Sequence, residues 1–157
     1  MIEPIVTPIT GKECLVGNHA PLYALTGFYS AFNTRDLGAM NRNWAQTDEV
    51  VMANPLGDVR RGWTAIREIY ERIFQGPAKV YVEFYDYTLH ESENLFYAVG
   101  RERGYLERNG RRIDLAIRTS RVFRQLDGRW QQVHHHGSIE DPALLERYRK
   151  AVRGEPF

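Results

Sequence analysis

"RTSRVFRQLDGRWQQVHHHGS", residues 118–138, decides the fold. β-branched and aromatic side chains (Val122, Phe123, Trp130, Val133) flank Asp127-Gly128, a dipeptide that readily takes the two positive φ angles of a type I′ turn. The stretch therefore predicts two long antiparallel strands joined by a tight hairpin. Its second strand ends in His134, His135 and His136, so the functional question starts here as well.

Working outward, "KVYVEFYDYTLH", "LFYAVGRERGYLE" and "RRIDLAIRTSRVFRQ" supply three more β-rich runs before the final one. "ESEN" joins the first two and Asn109-Gly110 joins the next pair. Downstream, Asp141-Pro142 opens a helix carrying Leu144, Leu145 and Tyr148. The first half reads differently. Leu22, Leu25, Phe28, Tyr29 and Phe32 recur at helical spacing after Pro21, and Asp36 caps a second short helix with Leu37, Met40 and Trp44. "EVVMANPLGDVRRG" is a short strand running into a loop, since Pro55 and Gly57 stop a ladder. Trp63, Ile66, Ile69, Tyr70 and Ile73 form a third helical stripe that Gly76-Pro77 ends.

Helices followed by a meander predict an α+β domain, a cone-shaped, curved antiparallel sheet wrapped round the N-terminal helices. Residues 1–20 read as an N-terminal arm and 21–157 as one domain. The open end of such a cone is a natural place for a small-molecule pocket.

Composition narrows the function. The 157 residues are 43% hydrophobic and 26% charged with a net charge of +1, so no overall field draws nucleic acid or a membrane surface. Arginine is locally dense, with eight between Arg101 and Arg124 against three acids. No stacking-platform motif accompanies them, and a nucleic-acid partner is not expected. Glu3, Glu13 and the prolines of the first twenty residues do not form a signal peptide, and no run approaches a membrane span, so the cytoplasm is the expected location. Cys14 is the single cysteine and permits no internal disulfide.

Strand periodicity sorts the histidines. Val133, His135 and Gly137 share one face, and Trp130, Gln132, His134 and His136 share the other. With Arg121 and Val133 facing inward, His135 faces in with them and His134 and His136 face out. One His-x-His pair without a further ligand predicts no metal site. An inward His135 beside Arg101 and Arg121 would be held neutral by those cations, fit to act as a base or to accept a hydrogen bond.

Three passages resemble one superfamily. "FYSAFNTRDLGAM" is similar to the first-helix pattern of the nuclear transport factor 2-like proteins, and "NPLGDVRRGWTAIREIY" to the strand–loop–helix of their ketosteroid-isomerase-like and SnoaL-like members. "SRVFRQLDGRWQQVHHHGS" resembles the last hairpin of the calcium/calmodulin-dependent kinase II association domain. Together they span residues 22–139. The isomerase resemblance implies a catalytic aspartate where this chain has Asn54, an oxyanion tyrosine near Phe28, with Tyr29 one residue along, and a protonated aspartic acid among Arg118, Thr119 and Ser120. An amide takes no proton at neutral pH, so ketosteroid isomerase activity itself is not expected. The association-domain resemblance matches Arg101 and Arg121 to two pocket arginines, with Gly137 where a third would stand, and the superfamily resemblance implies a homodimer through the outer sheet face.

These readings give one expectation: a pocket for a small anionic organic ligand, clamped by Arg101 and Arg121 and lined by Asn54, Trp44 and Trp63. His135 and Tyr29 would carry any isomerase-, cyclase- or dehydratase-type proton transfer, with no cofactor. The alternative is a non-catalytic ligand-binding or protein-association domain.

Overall fold

Both hairpin turns form where glycine follows a residue that tolerates positive φ: Asn109 and Gly110 at 52° and 72°, Asp127 and Gly128 at 51° and 75°. In the computed structural model, which describes residues 1–17 and 19–157, they connect the long strands β4 (Leu95–Arg108), β5 (Arg111–Leu126) and β6 (Arg129–Ser138). β3 (Lys79–Glu91) pairs with β4 on the other side. Two short strands complete the sheet, β1 (Val51–Ala53) and β2 (Arg60–Arg61), in the order β2-β1-β6-β5-β4-β3. β1 runs parallel to β6, so the sheet is mixed rather than wholly antiparallel. The β2 pairing was not legible in the loop-like "PLGDVRRG".

The helices start and stop where side-chain chemistry dictates. Asp36 Oδ1 accepts from the Ala39 amide at the head of α2 (Leu37–Asn43), and Asp141 accepts from the Ala143 and Leu144 amides at the head of α4 (Pro142–Arg153). α1 (Ala20–Asn33) and α3 (Trp63–Gln75) bury Leu25, Phe28, Tyr29, Ile66 and Tyr70 against the concave face of the sheet. That face alternates strictly along β5, where Ile113, Leu115, Ile117, Thr119, Arg121 and Phe123 are all buried. Helices and curved sheet thus enclose one core, the α+β cone.

The arm is part of the sheet's edge. Ile5 and Ile9 exchange backbone hydrogen bonds with Tyr87 and Phe84 of β3, and Ile9 is buried. Asn33 ties it down, its Nδ2 donating to the carbonyls of Thr10 and Val82 and its Oδ1 accepting from the Val82 amide.

Two bulges decide which side chains enter the cone. In β6, Val122 pairs with His134 and Phe123 with Gln132, which leaves Val133 as the extra residue. In β3 the register shifts between Tyr85 and Thr88, around Asp86 with its φ of 48°.

Candidate functional site

Inside the cone, β5 delivers Arg121 and β4 delivers Glu102 from the two strands that pair at its centre. Arg121 Nη2 lies 2.9 Å from Glu102 Oε1, with side chains only 2% and 6% exposed. Arg121 Nε donates to the Tyr29 hydroxyl at 3.1 Å and Nη1 to Gln132 Oε1 at 2.8 Å. The Tyr29 hydroxyl in turn donates to Glu102 Oε1 at 2.7 Å. The guanidinium carbon sits 3.4 Å from the centroid of the Phe28 ring, a cation–π contact away from water. Four side chains from α1, β4, β5 and β6 therefore fix one another, as a buried charge pair requires.

Burial has a visible electrostatic effect here. It pushes the Tyr29 hydroxyl well above its ordinary range and that of Tyr70 up to about 12, so both remain protonated donors. His135 is held well below the usual histidine range, first by burial and then by the Arg121 charge. Its Nδ1 is buried without a hydrogen-bond partner.

A small cavity of about 50 Å³ opens above this network. Glu102, Arg121 and His135 form its polar end, and Phe28, Tyr70, Leu115 and Ile117 are among its mostly apolar walls. Asn54, Pro55 and Tyr148 also line it. Asn54 sits in a turn, its Oδ1 accepting from the Leu56 amide at 3.1 Å. Gly137 keeps room beside His135, since a Cβ there would lie 3.3 Å from the imidazole and 3.2 Å from Pro55.

Several expected site residues stand elsewhere. Arg101 is half exposed on the outer face of the sheet, 3.4 Å from Asp86, and does not reach the cavity. The inward positions of β4 belong to Phe96, Ala98 and Glu102, so Arg101, one residue away, points out. The clamp of two arginines is thus corrected to one arginine, and its charge is matched by Glu102. Trp44 and Trp63 pack on each other at 6.2 Å in the core, and neither lines the cavity. Tyr29 touches the network from behind, so it positions Glu102 and does not meet the cavity itself. Val133 is not inward; Gln132 is, because the β6 bulge inserts one residue between Gln132 and His135. His134 and His136 stand at separate concavities of the outer face. Among the described residues no group of three or more His, Cys, Asp or Glu side chains is arranged to hold a metal ion.

Glu102, Gln132 and Tyr148 were missed. Reading "FYAVGRE" inward from Phe96 would have found Glu102, since Phe96, Ala98, Gly100 and Glu102 keep one parity. Gln132 had no such signal, because a bulge leaves no mark in the residue pattern.

The solved structures that resemble this one share the cone. A provisionally assigned calcium/calmodulin-dependent protein kinase type II association domain from Thiobacillus denitrificans is 24% identical, with a TM-score of 0.63, over 78% of this chain and 96% of that one. A provisionally assigned dehydratase of the NTF2-like family from Streptomyces avermitilis is 20% identical, with a TM-score of 0.66, over 76% and 92%. An NTF2-like superfamily protein from Salmonella enterica is 20% identical, with a TM-score of 0.67, over 74% and 85%. Among curated proteins, the F-box protein SKIP8 of Arabidopsis thaliana is 25% identical over 138 residues, which cover 85% of this chain and 56% of that protein, so the chain spans little more than half of its relative. The SnoaL-like domain model matches residues 22–142, and with more than half of its length matched the chain belongs to the SnoaL-like domain family.

Proposed function

We propose that the cone binds a small organic molecule with its polar head against Glu102, Arg121 and His135, and converts it by acid–base chemistry. One observation carries this reading: a mostly apolar cavity ends in a carboxylate, a guanidinium and an imidazole, all buried, the first two held in place by their pairing. Such a small set of convergent polar groups in an apolar pocket is the usual form of a ligand site. His135, neutral on the cavity wall, is the proton acceptor, and the Glu102 carboxylate is the second acid–base side chain of that wall. Tyr29 holds Glu102 in position. The neighbour from Streptomyces avermitilis, which shares the cone, is itself only provisionally assigned as a dehydratase.

A ligand-observed NMR screen of small molecules tests the reading, with Ile73→Trp, which fills the cavity wall, as control. Hits should bind the parent and lose binding in the variant. Equal binding to both would show that the cavity is not the site. Replacing His135 with Ala should abolish turnover of any converted hit while binding persists.

A second, compatible reading concerns the outer sheet face, where Tyr97 and Val99 are 40% and 47% exposed. A second copy pairing through this face gives a homodimer, as the superfamily resemblance implies. Sedimentation velocity of the parent against Val99→Glu tests it, with dissociation to monomer as the expected result. No helix among the described residues is long and apolar enough to cross a membrane, and the cytoplasm is the proposed location.

A further inference from the structure

The polar end of the cavity has a charge balance that the identity of its residues alone does not reveal. A guanidinium carries five N–H donors. Arg121 spends one on Tyr29 from Nε, one on Gln132 from Nη1 and one on Glu102 from Nη2. One N–H on each terminal nitrogen stays outside these bonds. Glu102 accepts both Tyr29 and Arg121 on Oε1, which leaves Oε2 outside them as well. The single arginine charge is matched by a single carboxylate 2.9 Å away. The other titratable side chains on the cavity wall are His135, Tyr70 and Tyr148, and burial favours the uncharged form of each. The head-group end is therefore rich in hydrogen-bonding capacity and has no net charge.

Building on the small-molecule reading above, we infer that Glu102 sets the ligand class: the cavity takes a neutral head group that both donates and accepts, such as a carboxamide or a hydroxy-ketone, and rejects carboxylates. A carboxamide can donate to Oε2 of Glu102 and accept a spare N–H of Arg121. A carboxylate entering the same space loses its water and meets the like charge of Glu102, in surroundings where that repulsion is poorly screened. It finds no uncompensated cation to offset either cost. Removing only the charge of Glu102 inverts the balance, because Arg121 is then a buried cation without a counter-ion.

Three probes of similar shape and different charge test this: benzamide, benzoate and benzylammonium, titrated at about pH 7.5 and read from the methyl signals of Met52, Ile73 and Ile117 on the cavity wall. The parent should bind benzamide tighter than either ion by roughly tenfold or more, one decade in the dissociation constant. Glu102→Gln should reverse the order so that benzoate leads by a similar factor. A parent that prefers benzoate, or an unchanged ranking in folded Glu102→Gln, overturns the inference and leaves the pocket reading standing. If none of the three probes moves a cavity methyl in either protein, the pocket reading falls and this inference with it. The parent's own ranking needs no variant, so the inference is decided even if Glu102→Gln does not fold.

Discussion

Two arginine–carboxylate pairs sit on opposite faces of the same sheet. Arg121–Glu102 faces in at 2% and 6% exposure; Arg101–Asp86 faces out at 50% and 44%. Glu102 and Arg101 are adjacent in sequence, so a single residue of strand parity separates a fixed internal charge network from a solvated surface contact. The inner pair had to be completed by Tyr29, Gln132 and the face of Phe28, since a buried charge without partners is costly. The outer pair needs nothing further, because water solvates both groups. Residue type alone thus says little about what a charge does in this protein. Its face says most of it.

The comparison can be broken at its inner side first. Glu102→Ala leaves Arg121 as an uncompensated internal cation and should destabilise the fold by about 3–5 kcal/mol in urea unfolding. Replacing Glu102 and Arg121 together with apolar residues should cost less than the two single losses added, and additivity would mean that the pair is not coupled. Tyr29→Phe ranks next. It deletes one hydroxyl that serves both members of the pair, and should cost roughly 1.5–3 kcal/mol, the range for hydrogen bonds to charged groups. A loss within experimental error would place the support of the network elsewhere.

The histidine on the inner face gives a pH signature. Its folded-state value is depressed, while an unfolded histidine titrates near 6.5 in order-of-magnitude terms. Below about pH 6.5 the unfolded chain therefore binds the extra proton and the native cavity resists it, so stability is full above that pH and falls as pH drops through and below it. His135→Gln should flatten this part of the stability profile, and an identical slope in parent and variant would move its origin to other groups. The smallest effect belongs to the outer face. Arg101→Ala should change stability by no more than about 1 kcal/mol, and by less at high salt, as exposed pairs do. A larger loss would give Arg101 a role beyond its contact with Asp86.

Much of the scaffold was legible because its signals are local. Asn109-Gly110 and Asp127-Gly128 mark their turns through the φ angles they tolerate. Asp36 and Asp141 mark helix starts through the amides they cap. The alternation of Ile113, Leu115 and Ile117 marks a strand with one buried face. From these, the sequence by itself determined the order of the four helices and of every strand except β2, the α+β class and the existence of a cone. His135 could also be placed among the inward residues, although the parity argument that put it there wrongly included Val133.

Only the tertiary structure decided the polar lining. Side chains alternate along a strand, so one inserted residue exchanges the faces beyond it. The bulge at Val133 puts Gln132 and His135 on the same side, three positions apart, and depends on how β6 pairs with β5 rather than on any residue in it. The choice between Arg101 and Glu102 likewise rests on the register of β4 against β3 and β5, which is set by packing around Phe96 and Phe123. The meeting of Tyr29, Glu102, Arg121 and Gln132 rests on direct hydrogen bonds between residues up to 92 positions apart. Local propensity carries no information over that distance; mutual satisfaction of buried charges and donors does, and it operates only once the sheet has closed round the helices.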